Sequence, residues 1–295
     1  MIGVDWGTSS FRAFRMAADG AVLDRRHAPR GILHVPNGAF SDALVELVGD
    51  WLADGETRVL LSGMIGSRQG WREAPYLACP AGLADLAGSL TPVVAGGAQG
   101  FIVPGLIGED DDGITEIMRG EETQILGVLA SIGQAGIACL PGSHSKWARI
   151  EGDRITGFIT AMTGETFAAL REHTILGRLM TGEGHDAAAF DEGLARSQHG
   201  GGLLHHIFGT RTLVIAGRLS ERAAASYLSG LLIGHDVRSA LTSYGRDRTV
   251  HLIGEERLCR LYGRALAACA TSYEVASHDA AALGLTGIGE LAPWT

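Results

Sequence analysis

The chain has 295 residues, 46% of them apolar and 19% charged, with a net charge of −9; this describes a packed soluble protein long enough for two domains, in which disorder is not expected. No block or stripe of Lys and Arg interrupts the acidic balance, which argues against nucleic acid and anionic membranes as partners. No uncharged apolar run approaches the roughly 18 residues of a membrane-spanning helix, and four separated cysteines without a C-x-x-C pair, together with a first strand at residue 2 that leaves no room for a leader, point to a cytoplasmic protein.

In chain order, Ile2-Gly3-Val4 is a strand, Asp5-Trp6-Gly7-Thr8-Ser9-Ser10 a turn, Phe11 to Met16 a second strand and Ala21 to Arg26 a third. Phe40, Leu44, Leu47, Val48 and Trp51 recur at helical steps and predict a helix over 40–52. Val59 to Leu61 is a buried strand leading into the Gly-rich loop 62–71, at the strand end where open α/β sheets place ligand-binding groups. Arg68 there offers a bidentate fork for a carboxylate or phosphate, and Trp71 a flat face for a sugar-like skeleton. The bland alternative is a surface salt bridge and a core Trp. Short strands follow over 93–97 and 100–104. The acidic run 109–113 lacks the spacing of a calcium loop, so it is a solvated loop and a domain junction, dividing the chain into 1–113 and 114–295.

The segment 118–124 carries the acidic pair Glu121 and Glu122 at the head of a helix. Gly136 to Leu140 is then a strand, Leu140-Pro141-Gly142-Ser143-His144-Ser145-Lys146-Trp147 contains a turn, and strands follow over 146–150 and 154–160. This hairpin repeats the N-terminal one. Such Gly/Ser turns aim backbone N–H groups and hydroxyls into one concavity that suits a phosphate, although two ordinary hairpins would read alike. A carboxylate able to accept a proton next to a phosphate cradle suggests phosphoryl transfer. Beyond residue 160 the pattern predicts helices over 164–179, 186–197, 219–244 and 255–270, a strand over 249–253, and a closing Ala/Leu/Gly-rich segment over 279–291.

Three decoys are set aside. His199-Gly200-Gly201-Gly202 has no G-x-S-x-G nucleophile to serve, His205-His206 and His185-Asp186 lack metal-ligand spacing, and no G-x-x-x-x-G-K-[ST] is present.

The stretch 2–12 resembles the first phosphate motif of the actin-like ATPase and sugar kinase superfamily, and 140–147 its second. With Ser62 to Trp71, Ala74-Pro75-Tyr76-Leu77, Met118 to Gln124 and Met162-Thr163-Gly164-Glu165, the chain resembles the 2-dehydro-3-deoxygalactonokinase family from residue 2 to about 175. The resemblance implies an α/β fold of two actin-like (ribonuclease H-like) domains flanking a nucleotide and substrate cleft. It implies ATP and Mg²⁺ as cofactors, with Asp5 on the metal. Gly7, Thr8, Ser9, Arg12, Gly142, Ser143 and His144 would fall on phosphate, and Gly254 on the adenosine. Glu121 stands where relatives carry the aspartate that accepts the hydroxyl proton, with Glu122 as the competing candidate. Arg68, Trp71, Arg119 and Lys146 are candidates for the sugar acid. The implied reaction is phosphorylation of 2-dehydro-3-deoxy-D-galactonate at its 6-hydroxyl. A kinase for the gluconate epimer, a nucleotide-dependent sugar-acid-binding regulator and a phosphatase are the alternatives, and homo-oligomerisation is left open.

Overall fold

The computed structural model describes residues 1–182 and 184–295. It divides into two compact units, one formed by Met1–Ala135, Ala148–Phe158 and Ala276–Thr295, the other by Gly136–Trp147 and Ile159–Val275. The position 113/114 lies within the first unit.

The chain begins with strands β1 (Ile2–Trp6), β2 (Phe11–Met16) and β3 (Val22–Ala28), helix α1 (Phe40–Ala53) and strand β4 (Arg58–Ser62). After β5 (Tyr76–Ala78) and α2 (Leu83–Ala87) come β6 (Thr91–Ala95), β7 (Ala98–Ile102), β8 (Gly105–Glu109) and β9 (Thr115–Met118), then the short helices α3 (Glu121–Gly127) and α4 (Leu129–Ile132). A run of β10 (Ala135–Leu140), β11 (Ser145–Glu151) and β12 (Arg154–Ala161) precedes α5 (Thr163–His173), α6 (Ala187–Arg196), α7 (Gly202–Ile215) and α8 (Ala224–Tyr244). The chain closes with β13 (Val250–Leu252), α9 (Glu256–Ala268), β14 (Tyr273–Val275) and α10 (Ala280–Leu291).

The first unit is built on a six-stranded sheet in the order β3-β2-β1-β4-β7-β6 and a three-stranded sheet β5-β8-β9. β1, apolar but for Asp5, is buried along its whole length between antiparallel β2 and parallel β4. The edge strand β3 carries Asp24, Arg25 and Arg26, charges that discourage further pairing. Helix α1 buries Phe40, Leu44, Val48 and Trp51 against the sheet in one core with Val4, Trp6 and Leu61. C-terminal α10 packs closely on α3, because Gly127 lacks the Cβ that would stand 2.2 Å from the Ala280 carbonyl oxygen.

Of the five-stranded sheet β12-β11-β10-β13-β14, the second unit holds β13, β14, most of β10, the start of β11 and the end of β12, with Ile137, Cys139, Trp147, Val237 and Leu266 among its core residues. Helix α8 is buried over most of its length and crosses α6 at glycines: a Cβ at Gly193 would meet the Tyr227 carbonyl oxygen at 2.1 Å, and one at Gly230 that of Phe190 at 2.0 Å. All four cysteines are free, and among the described residues no helix is long and apolar enough to cross a membrane.

Three elements differ from the sequence expectation. The helix over 164–179 stops at His173, where the Thr174 hydroxyl donates to the Leu170 carbonyl at 2.6 Å and Gly177 is driven against Arg171. The helix over 219–244 begins only at Ala224, and the preceding stretch of glycines and histidines supplies α7. The acidic run is the turn of the β8-β9 hairpin, where the Asp110 carboxylate accepts from the Asp112 and Ile114 N–H groups.

Candidate active site

In the first unit, the register of β1 on β2 sets Asp5 opposite Arg12 and Trp6 opposite Phe11. The carboxylate of Asp5, buried on β1, accepts from the Arg12 guanidinium. Burial pushes its pKa up and Arg12 opposes the shift. The intervening turn closes through Gly7 N–H to the Ser10 carbonyl at 2.9 Å and leaves Thr8 and Ser9 exposed. Its back is covered by Gly31, where any Cβ would overlap the Thr8 backbone at 2.2 Å.

Gly63, just after β4, has φ +94°, and a Cβ there would stand 2.8 Å from the Trp6 carbonyl oxygen and 3.2 Å from Asp5 Oδ1. Gly120, the residue before α3, has φ +105° and lies against Gly63. The two glycines therefore bring the acidic pair to the end of β1. Glu121 is half-buried and its Oε2 accepts the Arg119 N–H at 3.0 Å. Glu122 is 0% exposed, accepting the Gly120 N–H at 2.6 Å on one oxygen and the Thr123 hydroxyl at 3.0 Å on the other. Since Thr123 donates to Glu122, Ser62 donates to Thr123 across their 2.8 Å contact. Burial, then the neighbouring Glu121 charge, pushes the Glu122 carboxyl up to about 7.

The candidates for the sugar acid fall in different surroundings. The Arg68 side chain is 88% exposed and paired to Glu73 at 3.1 Å, whereas Trp71 stacks on Phe40 at the edge of the core. Arg119 is buried, its guanidinium 4.2 Å over the Tyr76 ring with Nη2 donating to the Ala74 carbonyl at 2.8 Å. Its Nε and Nη1 are buried without a hydrogen-bond partner. Lys146, in the second unit, is buried and donates to Thr160 Oγ1 at 2.8 Å.

In that second unit, Ser143 and His144 are exposed on the turn between β10 and β11. The start of α5 seats against it: the Glu165 N–H donates to the Ser143 carbonyl at 3.0 Å, His144 pairs with the Glu165 carboxylate, and a Cβ at Gly164 would meet the Gly142 oxygen at 2.5 Å. Gly254 leaves β13 with φ +138°, where a Cβ would stand 3.8 Å from the Pro141 carbonyl. Glu255 then caps α9 through the Arg257 and Leu258 N–H groups. A cavity of about 240 Å³ opens here, lined by Gly142, Thr163, Arg171, Ser226, Arg257 and Tyr262 among others. It contains glycines, arginines and hydroxyls on a largely apolar wall, a composition suited to a heterocycle with phosphates.

Sequence reasoning did not find Asp236. It is 6% exposed on α8 and accepts from Trp147 Nε1 at 2.9 Å, Thr163 Oγ1 at 2.7 Å and the Tyr262 hydroxyl. The available signal was the single carboxylate of helix α8, placed among the small and apolar residues of a largely buried helix.

Comparison with known proteins shows which family the chain belongs to. The sequence model of the 2-keto-3-deoxy-galactonokinase family matches residues 5–288. The chain belongs to this family. Among its members, Probable 2-dehydro-3-deoxygalactonokinase DgoK1 of Rhizobium meliloti is 38% identical over 271 residues, covering 89% of this chain and 87% of its own. The 2-dehydro-3-deoxygalactonokinase of Escherichia coli K12 is 32% identical over 280 residues, covering 95% and 94%. A crystal structure of a Sinorhizobium meliloti protein provisionally named 2-dehydro-3-deoxygalactonokinase superposes with a TM-score of 0.88 at 34% identity, covering 98% of each chain. The family likeness therefore reaches through the helical C-terminal part as well as the motifs before residue 175. For the fold alone, the activator of the 2-hydroxyisocaproyl-CoA dehydratase of Clostridium difficile, solved with ADPNP, superposes at a TM-score of 0.53 and 12% identity over 99% of this chain and 95% of its own. The galactonokinase-family chain thus has the expected α/β actin-like ATPase and sugar kinase fold.

Proposed function

We propose that this protein transfers the γ-phosphoryl group of ATP to the 6-hydroxyl of 2-dehydro-3-deoxy-D-galactonate. The observation that carries this is the near full-length likeness to two relatives bearing that name, joined to a carboxylate pair held at the end of β1. Glu121 is assigned as the proton acceptor. It is half-exposed, while Glu122 is enclosed with both oxygens engaged. A general base needs reach to the substrate hydroxyl, which favours Glu121, and Glu122 then fixes the head of α3.

The Asp5 carboxylate fits a Mg²⁺ ion, a hard cation that takes one or two protein carboxylates with water and phosphate oxygens completing its shell. The missing Cβ at Gly63 leaves Oδ1 uncrowded, and Arg12 opposes the rise in pKa that burial imposes. When bound, the ion would offset phosphate charge. Gly7, Thr8, Ser9 and Arg12 in the first unit, and Gly142, Ser143 and His144 in the second, are assigned to phosphate. Gly254 and the cavity beside α9 are assigned to the adenosine, and Lys146 to the neighbourhood of the second turn. On the sugar-acid side, Arg68 exchanges Glu73 for the substrate carboxylate and Trp71 offers the edge of its stacked ring. Arg119 serves that side by holding the loop Gly66–Tyr76 in place. The metal and proton-accepting groups and the first phosphate turn thus belong to the first unit, the second phosphate turn and the adenosine groups to the second.

The test is coupled-assay turnover with Mg-ATP, offering the galactonate compound, its gluconate epimer and no sugar. Preference for the galactonate compound is expected. Phosphate release without sugar, or turnover of neither compound, would overturn the proposal.

A further inference from the structure

We propose that Asp236 is a positioning residue: through two tethers it holds the turn Gly142–His144 in the geometry that receives nucleotide phosphate. The inference rests on the assignment of that turn to phosphate. One tether runs along the chain leaving the turn. Ser145 Oγ lies 2.6 Å from the Tyr262 hydroxyl, and Tyr262 donates to Asp236, so Ser145 donates to Tyr262. The other runs through the helix that abuts the turn. Thr163, the first residue of α5, donates to the same Asp236 oxygen at 2.7 Å, and the next two residues, Gly164 and Glu165, are those packed and hydrogen-bonded to Gly142 and Ser143. Trp147 Nε1, two residues beyond Ser145, fills the other oxygen at 2.9 Å.

The charge is suited to this. Tryptophan N–H can only donate, and three donors converge on one carboxylate, so the ionised form alone satisfies all of them without reversing a hydroxyl. Burial raises the Asp236 pKa while the hydrogen bonds from Tyr262, Thr163, Trp147 and Ser145 oppose it. A carboxylate so enclosed is costly unless its partners are fixed, and fixing them fixes the residues on both sides of the turn. Asp236 and Ser145 do not line the cavity, whereas Thr163 and Tyr262 do. An effect of Asp236 or Ser145 on nucleotide binding is therefore transmitted through position and not through contact.

That separation selects the variants. Asp236→Asn keeps shape but offers one acceptor and one donor group, so the Thr163 and Tyr262 hydroxyls must turn round. Ser145→Ala cuts the first tether alone, and Ser145→Thr keeps the hydroxyl. The measurements are the Kd for MgADP by calorimetry, KM for MgATP and for the sugar acid, and Tm. We expect Asp236→Asn to weaken MgADP about tenfold and Ser145→Ala several-fold, the size of one lost charged or neutral hydrogen bond. KM for the sugar acid should stay within twofold, and Ser145→Thr should restore MgADP binding. If Asp236→Asn does not fold, Ser145→Ala and Ser145→Thr decide. A lowered Tm with unchanged MgADP affinity, or equal movement of both KM values, would overturn the inference. A wild type that binds MgADP but phosphorylates neither sugar acid would sink the kinase assignment while leaving the MgADP comparison decisive for Asp236. A wild type that binds no MgADP would sink both.

Discussion

Gly63 and Gly120 touch backbone to backbone: a Cβ on Gly120 would stand 2.9 Å from the Gly63 Cα. One residue follows β4 and the other precedes α3, so their contact is what brings the acidic pair against the strand that carries Asp5. Both have positive φ, where an L side chain is strained. Gly120→Ala therefore meets strain and overlap together and should cost roughly 2–4 kcal/mol. Thermal unfolding should show the loss, and turnover should fall further than Tm explains, because the head of α3 moves. A variant with wild-type Tm and turnover would mean that the contact does not set the site.

Glu121→Gln keeps the acceptor for the Arg119 N–H and removes the basicity. If Glu121 takes the hydroxyl proton, kcat should drop by about 10²–10⁴, the usual contribution of general base catalysis. MgADP affinity should hold within twofold, which separates lost chemistry from lost folding. Near-normal kcat would move the role elsewhere.

Much of this fold is legible locally. The β1-β2 and β10-β11 hairpins follow from apolar strands around Gly/Ser turns, and α1 from the spacing of Phe40, Leu44, Val48 and Trp51. Helix α7 escaped notice because Gly200 and Gly201 precede it, Gly202 begins it and its apolar residues follow no single face, leaving Leu204, Phe208 and Ile215 exposed. At the site, single residues were legible but their neighbourhoods were not. Glu121 and Glu122 are adjacent in sequence, yet one is half-exposed and the other enclosed, a difference created by Ser62, Gly63 and Thr123. Asp236 is 89 residues from Trp147 and 73 from Thr163, and no local periodicity encodes such a meeting.

Arg68 and Arg119 should separate cleanly. Arg68 is exposed with Glu73 as its ion-pair partner, so Arg68→Ala should leave Tm unchanged and raise KM for the sugar acid about tenfold or more, as loss of a charged hydrogen bond does. An unchanged sugar-acid KM, with only that for ATP raised, would remove Arg68 from the substrate side. Arg119→Lys loses the planar stack on Tyr76 and the donor to Ala74 and buries a compact ammonium in place of a weakly hydrated guanidinium. It should destabilise the protein by roughly 2–3 kcal/mol. An unchanged Tm would contradict a supporting role for Arg119.

Glu122 gives the chain a specific pH dependence. Its carboxyl is raised from 4.5 to about 7 by burial and by Glu121, so the folded protein holds this proton more tightly than the unfolded chain does. Its contribution to stability is full below about 4.5, declines as pH rises, and is lost once pH passes about 7. This runs opposite to Asp50, lowered to about 2 by Arg26, whose contribution is lost in acid. Glu122→Gln imitates the protonated form, with its oxygen available to the Gly120 N–H and its amide to Thr123. Denaturant unfolding of both proteins at pH 5 and pH 8 cancels the other carboxylates. Relative to wild type, the variant should gain stability between the two pH values by up to roughly 3 kcal/mol, the equivalent of the shift. An identical difference at both pH values would mean that Glu122 is ionised throughout, with its charge balanced inside the fold.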